Sequence, residues 1–561
     1  MSYTIGLDYG TNSVRCLIVN VSDGSEVGTA VYEYESGQAG ILLDPADHNT
    51  ARQNPADYLK GLEVTIQEAL QQAKNADSTF DPANVIGIGV DTTGSTPIPV
   101  DKQGQPLAFN DEFKDNLNAY VWLWKDHTSY AEAAEITELA QKDHPEYLAK
   151  CGGTYSSEWF FSKILHCLRT APEVFDAAYT WVEHADWMTG ILTGNDHPAK
   201  IKRCRCAAGH KAMFNDAWGG YPATEFLAKL DPKMGMLRKT LSNQTYAIDT
   251  KAGNLTPDWA ENLGLPKGIP VAMGAFDAHL GAVGSGIGEG TLVKILGTST
   301  CDMVVWPTSR KLADVPGICG IVDSSILPGY LGLEAGQSAV GDIFNWFVNY
   351  IQPGGPDAGS HISLTQKAQK LKPGQSGLIA LDWNNGNRTI LVDQRLTGLL
   401  IGHTLHTKPE EIYRALVEAT AFGALTIIQR MEAYGVAINE VVNCGGIAEK
   451  SPMVMQIYAD ILGREMKVSR SAQTCALGSA IAAAVVAGSA TGGYDDFASA
   501  QAAMTGVKDV IYKPNHENNA VYMKLYKLYK QLHDGFGVPE TKVEMAHVMK
   551  DLLDIKEKCQ G

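Results

Sequence analysis

The chain has 561 residues, 45% hydrophobic and 19% charged, a globular composition with length enough for two large domains. Its formal net charge of -17 argues against nucleic-acid or anionic-membrane partners, which require a basic surface, so any anionic ligand must be gripped locally. Ten scattered cysteines in so long a chain do not make a disulfide framework, and with no signal pattern and no apolar stretch of spanning length a reduced, cytoplasmic setting is expected.

Residues 4–20 read TIGLDYGTNSVRCLIVN: two apolar runs around a polar corner with Asp8 at its entry, the pattern of a strand, a tight turn and an antiparallel strand. Backbone amides exposed in such a corner can cradle phosphates, and a carboxylate beside them makes sense through a divalent cation, so Asp8 is a candidate Mg2+ residue acting through water. The competing reading is a plain hairpin turn, for which Asp, Gly and Asn are all favoured. Residues 85–96, VIGIGVDTTGST, are a second buried strand running into a polar corner. The cluster CRCAAGH at 204–210 carries metal-type side chains, but its spacing is unlike a zinc knuckle and no second pair follows.

Residues 271–284, VAMGAFDAHLGAVG, form a strand that breaks at Gly274 and places Asp277 at a helix start. As the N-cap of that helix Asp277 would have a lowered pKa, yet its place before a hinge suits a base that takes a proton from an acceptor hydroxyl. The glycine-dense run GAVGSGIGEG at 281–290 is taken as that hinge, dividing the chain into domains 1–285 and 286–561. Residues 291–306, TLVKILGTSTCDMVVW, repeat the strand-corner-strand device, which suggests two domains of related design facing one ligand. The segment 353–359 reads as a surface loop, 410–432 as an amphipathic helix in which Gly423 serves close packing, and VVNCGGIAEKS at 441–451 as another strand into a glycine corner; the tail after Tyr512 is helical. P-loop, dinucleotide-fold, protein-kinase and nucleophile-elbow patterns do not fit.

Together the motifs IGLDYGTNSVR (5–15), GVDTTGST (89–96), YSSEWFFSKIL (155–165), CAAGHKAM (206–213), GAFDAHLG (274–281), LGTSTC (296–301), LEAGQSA (333–339) and CGGIAEKS (444–451) resemble the FGGY family of carbohydrate kinases, over essentially the whole chain. The resemblance implies an α/β fold of two actin-like ATPase (ribonuclease H-like) domains, each a mixed sheet flanked by helices, with an interdomain cleft. It implies ATP and Mg2+, with Thr11, Asn12, Arg15, Gly297 and Thr298 at the phosphates, Asp8 near the metal, and Gly445, Gly446 and Glu449 bordering the adenosine. Asp277 matches the family's catalytic base, and Ser95, Thr96, Lys211 and Glu334 fall with it in motifs that look sugar-contacting.

Glu334 could instead be a salt-bridge partner, Lys163 and Lys211 could be solvated helix charges, and Trp159 reads as packing. The motifs DTTGST, AAGHK and LEAGQS resemble those of members acting on L-ribulose, implying phosphorylation of its 5-hydroxyl in L-arabinose catabolism. Another ketopentose or a pentitol is the alternative, and an actin-like ATPase switch a remoter one. The partners implied are a sugar and ATP, with neither nucleic acid nor membrane; a homodimer is left open.

Overall fold

In the computed structural model, which describes residues 1–353, 355 and 359–560, the opening corner joins strand β1 (Tyr3–Tyr9) to antiparallel β2 (Ser13–Asn20). β3 (Glu26–Glu33) continues the meander, and β4 (Val85–Thr92) lies parallel to β1 on its other side. With β5 (Lys251–Asn254), β6 (Pro270–Ala272) and β7 (Ala275–Phe276) the order is β5-β6-β4-β1-β2-β3, β7 pairing the end of β4. All seven residues of β1 are buried, as in a strand covered on both faces.

The second sheet repeats this design. β8 (Thr291–Leu296) and β9 (Thr300–Pro307) are antiparallel around the second corner, β10 (Gly320–Asp323) and β11 (Tyr330–Ala335) extend the meander, and β12 (Glu440–Cys444) runs parallel to β8, followed by β13 (Met466–Val468). The order β10-β11-β9-β8-β12-β13 places a parallel strand beside a central hairpin, as in the first sheet. Of the loop expected at 353–359, residues 354 and 356–358 lie outside the described residues.

Two helices hold the sheets together: α1 (Asp277–Gly284), leaving the first sheet, and α2 (Thr474–Ala487), from the second half of the chain. α2 lies directly on the first sheet. A Cβ on Gly6 would sit 1.8 Å from the Ala476 carbonyl oxygen and one on Gly89 1.9 Å from that of Ser479. These two glycines are register partners on β1 and β4 and form the groove that receives the helix. Gly284 and Gly478 play the same part between α1 and α2, where a Cβ would meet the carbonyl oxygens of Thr474 at 2.0 Å and Leu280 at 1.8 Å. Gly281 and Gly284 of the glycine-dense run thus serve a close helix crossing. One core joins Leu17 and Val19 of β2, Leu280 and Val283 of α1, Ala476 and Ala480 of α2, and Val293 and Met303 of the second sheet.

Between β4 and β5 an inserted unit packs its own aromatic core around Trp122, Phe160, Phe161 and Trp181 and walls one side of the cleft. Gly423 is a close contact as expected, although what approaches it are the side chains of Asp382 and Gln337. Among the described residues no helix is long and apolar enough to cross a membrane.

Candidate functional site

The turns that follow β1, β4 and β8 open into one cavity of about 640 Å³ between the lobes. Its lining includes Thr11 and Trp124, Thr93 and Gly94, Trp159, Lys211, Asp277 and His279 from the first half, and Gly297, Thr298, Glu334 and Arg388 from the second.

Three carboxyl groups gather where β1, β4 and β7 end in register: Asp8 pairs across from Asp91, and Asp277 follows Phe276, the partner of Thr92. Asp91 is fully buried and accepts a 2.6 Å hydrogen bond from Ser479 Oγ, but its Oδ1 has no partner. Burial, then the Asp8 charge, push its carboxyl well above the ordinary range. The motif around Asp91 gives that residue no role by itself; the signal that marks it is its place at a strand end, like Asp8. Among the described residues the only salt bridge to these three groups is Arg15 Nη1 to Asp8 Oδ2 at 3.2 Å. A crowd of carboxyls with one cation and an orphaned buried oxygen fits a divalent metal ion, and Asp8, Asp91 and Cys475 bring ligand-type atoms within 4.8 Å of one another there.

Asp277 differs from expectation in two ways. It is the first residue inside α1, Phe276 being the cap. Its pKa is raised to about 7: burial and the Asp8 charge outweigh the hydrogen bond its Oδ1 accepts from the Ala278 amide at 2.6 Å. A short helix dipole loses to desolvation here.

Thr11 reaches the cavity and accepts from Trp124 Nε1 at 3.0 Å, whereas exposed Asn12 donates to the Ala39 carbonyl at 2.6 Å. The second corner closes on itself: Gly297 N–H donates to Ser299 O at 3.0 Å, and Val340 and Asp342 amides donate to Thr298 O at 2.8 and 3.1 Å. Gly445 has a φ of 90° and lies against Leu296, so a Cβ would meet the Leu296 oxygen at 2.6 Å; only glycine suits this corner. Gly445 and Gly446 therefore stand beside the 297 corner, outside the cavity lining, and Glu449 is ion-paired with Lys508.

Lys211 and Glu334 meet across the lobes at 2.8 and 3.0 Å, both buried, so neither is a solvated charge. Burial would raise the Glu334 pKa, but the Lys211 ammonium holds it well below the usual carboxylate range. The imidazoles of His210 and His279 are kept neutral by burial. With Glu334 they make a metal-type cluster, yet the Lys211 ammonium already supplies its positive charge.

Ser95 and Thr96 are elsewhere. Ser95 Oγ donates to Glu183 Oε1, the Thr96 amide donates to Glu183 Oε2 at 2.8 Å, and both residues are fully buried, away from the cavity; Thr93 and Gly94 line it instead. Lys163 is fully buried too, donating to the carbonyls of Ser95 at 2.9 Å and Leu123 at 2.8 Å, and burial pushes its pKa down to about 7. It pins the loop that presents Gly94. Trp159 packs edge to face with Tyr155 while its ring also faces Lys211 at 5.5 Å.

Two sheets of one design, each opening a glycine corner on a shared cleft with a half-buried carboxyl group at the strand ends, define a phosphoryl-transfer enzyme of the actin-like ATPase fold. Models of the FGGY family of carbohydrate kinases match residues 3–284 with the N-terminal domain and 292–487 with the C-terminal domain. The chain belongs to this family and is a phosphotransferase with an alcohol acceptor. It is 43% identical over 550 residues to a ribulokinase of Halalkalibacterium halodurans, covering 95% of each chain, and 42% identical over 551 residues to one of Vibrio parahaemolyticus, covering 94% and 95%. Among solved structures it resembles a xylulose kinase from Rhodospirillum rubrum at a TM-score of 0.75 and 22% identity, covering 95% of this chain and 99% of that one, which speaks to the fold.

Proposed function

We propose that the chain is an ATP-dependent kinase that transfers the γ-phosphoryl group to the 5-hydroxyl of L-ribulose, giving L-ribulose 5-phosphate and ADP. The observation that carries this reading is full-length similarity to ribulokinases, together with one cavity in which Asp277, the Lys211–Glu334 pair and both corners are neighbours. Lys211 offers donors and Glu334 acceptors to sugar oxygens. Asp277 orients the hydroxyl and takes its proton as the new O–P bond forms and the bond to the ADP oxygen breaks, the leaving oxygen keeping the electron pair. A pKa of about 7 suits a base at neutral pH.

Thr11, Asn12 and Arg15 on one lobe and Gly297 and Thr298 on the other flank the triphosphate, with Gly445, Gly446 and Glu449 on the adenosine side. Asp8 and Asp91 would hold Mg2+, which when bound would neutralise phosphate charge. Ser95 and Thr96 act through Glu183 to shape the sugar loop, leaving Thr93 and Gly94 to face the sugar. The domain limits 1–285 and 286–561 stand as proposed for sequence segments, with α2 of the second packed on the first sheet.

The test is coupled ADP release with Mg-ATP and L-ribulose, D-ribulose, both xyluloses, ribitol, glycerol or no sugar. Preference for L-ribulose supports the reading; preference for a xylulose or ribitol replaces the substrate; equal turnover without sugar refutes a kinase.

A further inference from the structure

Arg388 enters the cavity from the loop after Trp383 on the second lobe, and no sequence signal marked it. Its side chain is 17% exposed, and among the described residues its guanidinium makes no hydrogen bond. The Nε is buried without a partner, and the one ion pair, Nη2 to Glu158 Oε1, is 3.6 Å long, beyond hydrogen-bond reach. Glu158 comes from the inserted unit of the first lobe, is equally enclosed, and among the described residues has only His127 Nε2, at 4.0 Å, as a second ion-pair neighbour. Glu334 and the thiols of Cys301 and Cys319 line the same cavity as Arg388.

This is an unusual pair. A guanidinium carries five donors and no acceptor, an ionised carboxylate only acceptors, and enclosed groups of that kind are normally satisfied. Here both stand open toward the cavity that Lys211, Asp277 and Glu334 also line. We infer that Arg388 and Glu158 are specificity-determining residues that read the hydroxyketone end of the sugar, Arg388 donating to the carbonyl oxygen and Glu158 accepting from a neighbouring hydroxyl. The inference rests on the sugar-kinase reading above. A donor-only group matches a carbonyl oxygen, which is acceptor-only; a pentitol presents a hydroxyl there whose own proton then needs another acceptor.

The experiment compares L-ribulose with ribitol as acceptors for wild type, Arg388→Gln and Glu158→Gln, with KM for ATP and a circular dichroism spectrum as checks on the fold. Wild-type turnover that depends on sugar tests the kinase reading first; its absence refutes that reading before the pair is at issue. With it in hand, Arg388→Gln is expected to lower kcat/KM for L-ribulose by about a hundredfold, mostly through KM, and to shrink the ketose-to-pentitol preference by about tenfold or more. Glu158→Gln should raise KM for both sugars while leaving KM for ATP unchanged. Equal losses on ketose and pentitol in Arg388→Gln, or a loss confined to ATP, would overturn the inference in favour of a contact that only bridges the lobes. If Arg388→Gln fails to fold, Arg388→Lys, which keeps the charge but loses the planar fork, reads the same ratio.

Discussion

Replacing Gly478 by alanine would place a methyl group 1.8 Å from the Leu280 carbonyl oxygen and 2.6 Å from its carbon, both backbone atoms of α1. Ordinary contact begins near 3.4 Å, so the two helices must separate by about 1.6 Å, an overpacking strain of about 1–3 kcal/mol. For a chain of two large lobes, that corresponds to a fall in Tm of roughly 2–10 °C in the transition that melts the joined core.

The functional cost follows from Asp277, which lies one helical turn before Leu280 on α1. A displacement of about 1 Å at a reacting group costs on the order of 10²-fold in rate, so kcat should drop by that order while KM for ATP changes little. Scanning calorimetry and coupled ADP release measure both. Gly288→Ala is the control: nothing lies within 4 Å of its Cβ and its φ is not positive, so an effect within about 0.5 kcal/mol is expected. Gly478→Ala that melts with wild type and keeps kcat within about twofold would refute the claimed helix contact and its link to the base.

Asp277→Asn should lower kcat by about 10²–10⁴-fold with sugar while leaving any sugar-free ATP hydrolysis unchanged, measured by ADP release; equal turnover would exclude Asp277 as the base. Because the active form is the carboxylate and its pKa is raised to about 7, kcat/KM for the sugar should climb with pH up to about 7 and then level. A profile flat from pH 5.5 to 8 would contradict that. Lys211→Met strands the buried Glu334 carboxylate and should destabilise by about 3–5 kcal/mol, whereas Lys211→Met with Glu334→Gln should recover most of it; additivity of the two single changes in urea titrations would show that the pair is not coupled. Lys163→Met orphans the carbonyls of Ser95 and Leu123 and should cost about 1–3 kcal/mol per group, read as a lower Tm. An unchanged Tm would mean that water replaces the ammonium.

Much of the architecture was legible along the chain because its determinants are local. Apolar runs of strand length, polar corners at Gly10 and Gly297, and the glycines at 445–446 are set by backbone sterics within a few residues, and they located both hairpins and both parallel partners. The motifs also led to Asp8, Lys211, Asp277, Thr298 and Glu334. What tertiary structure decided were juxtapositions and solvation. Asp91 joins Asp8 only because β4 lies parallel to β1 in register, and Arg388 meets Glu158 across 230 positions of sequence only because two lobes face each other. Ser95 and Thr96 sit in a sugar-type motif, but Glu183 turns them inward. Lys163 is hidden under an aromatic insert that no spacing rule predicts. The pKa of Asp277 reverses direction for the same reason: a helix start favours the charged form through nearby dipoles, whereas burial beside another carboxylate disfavours it, and only the folded chain determines how much water remains.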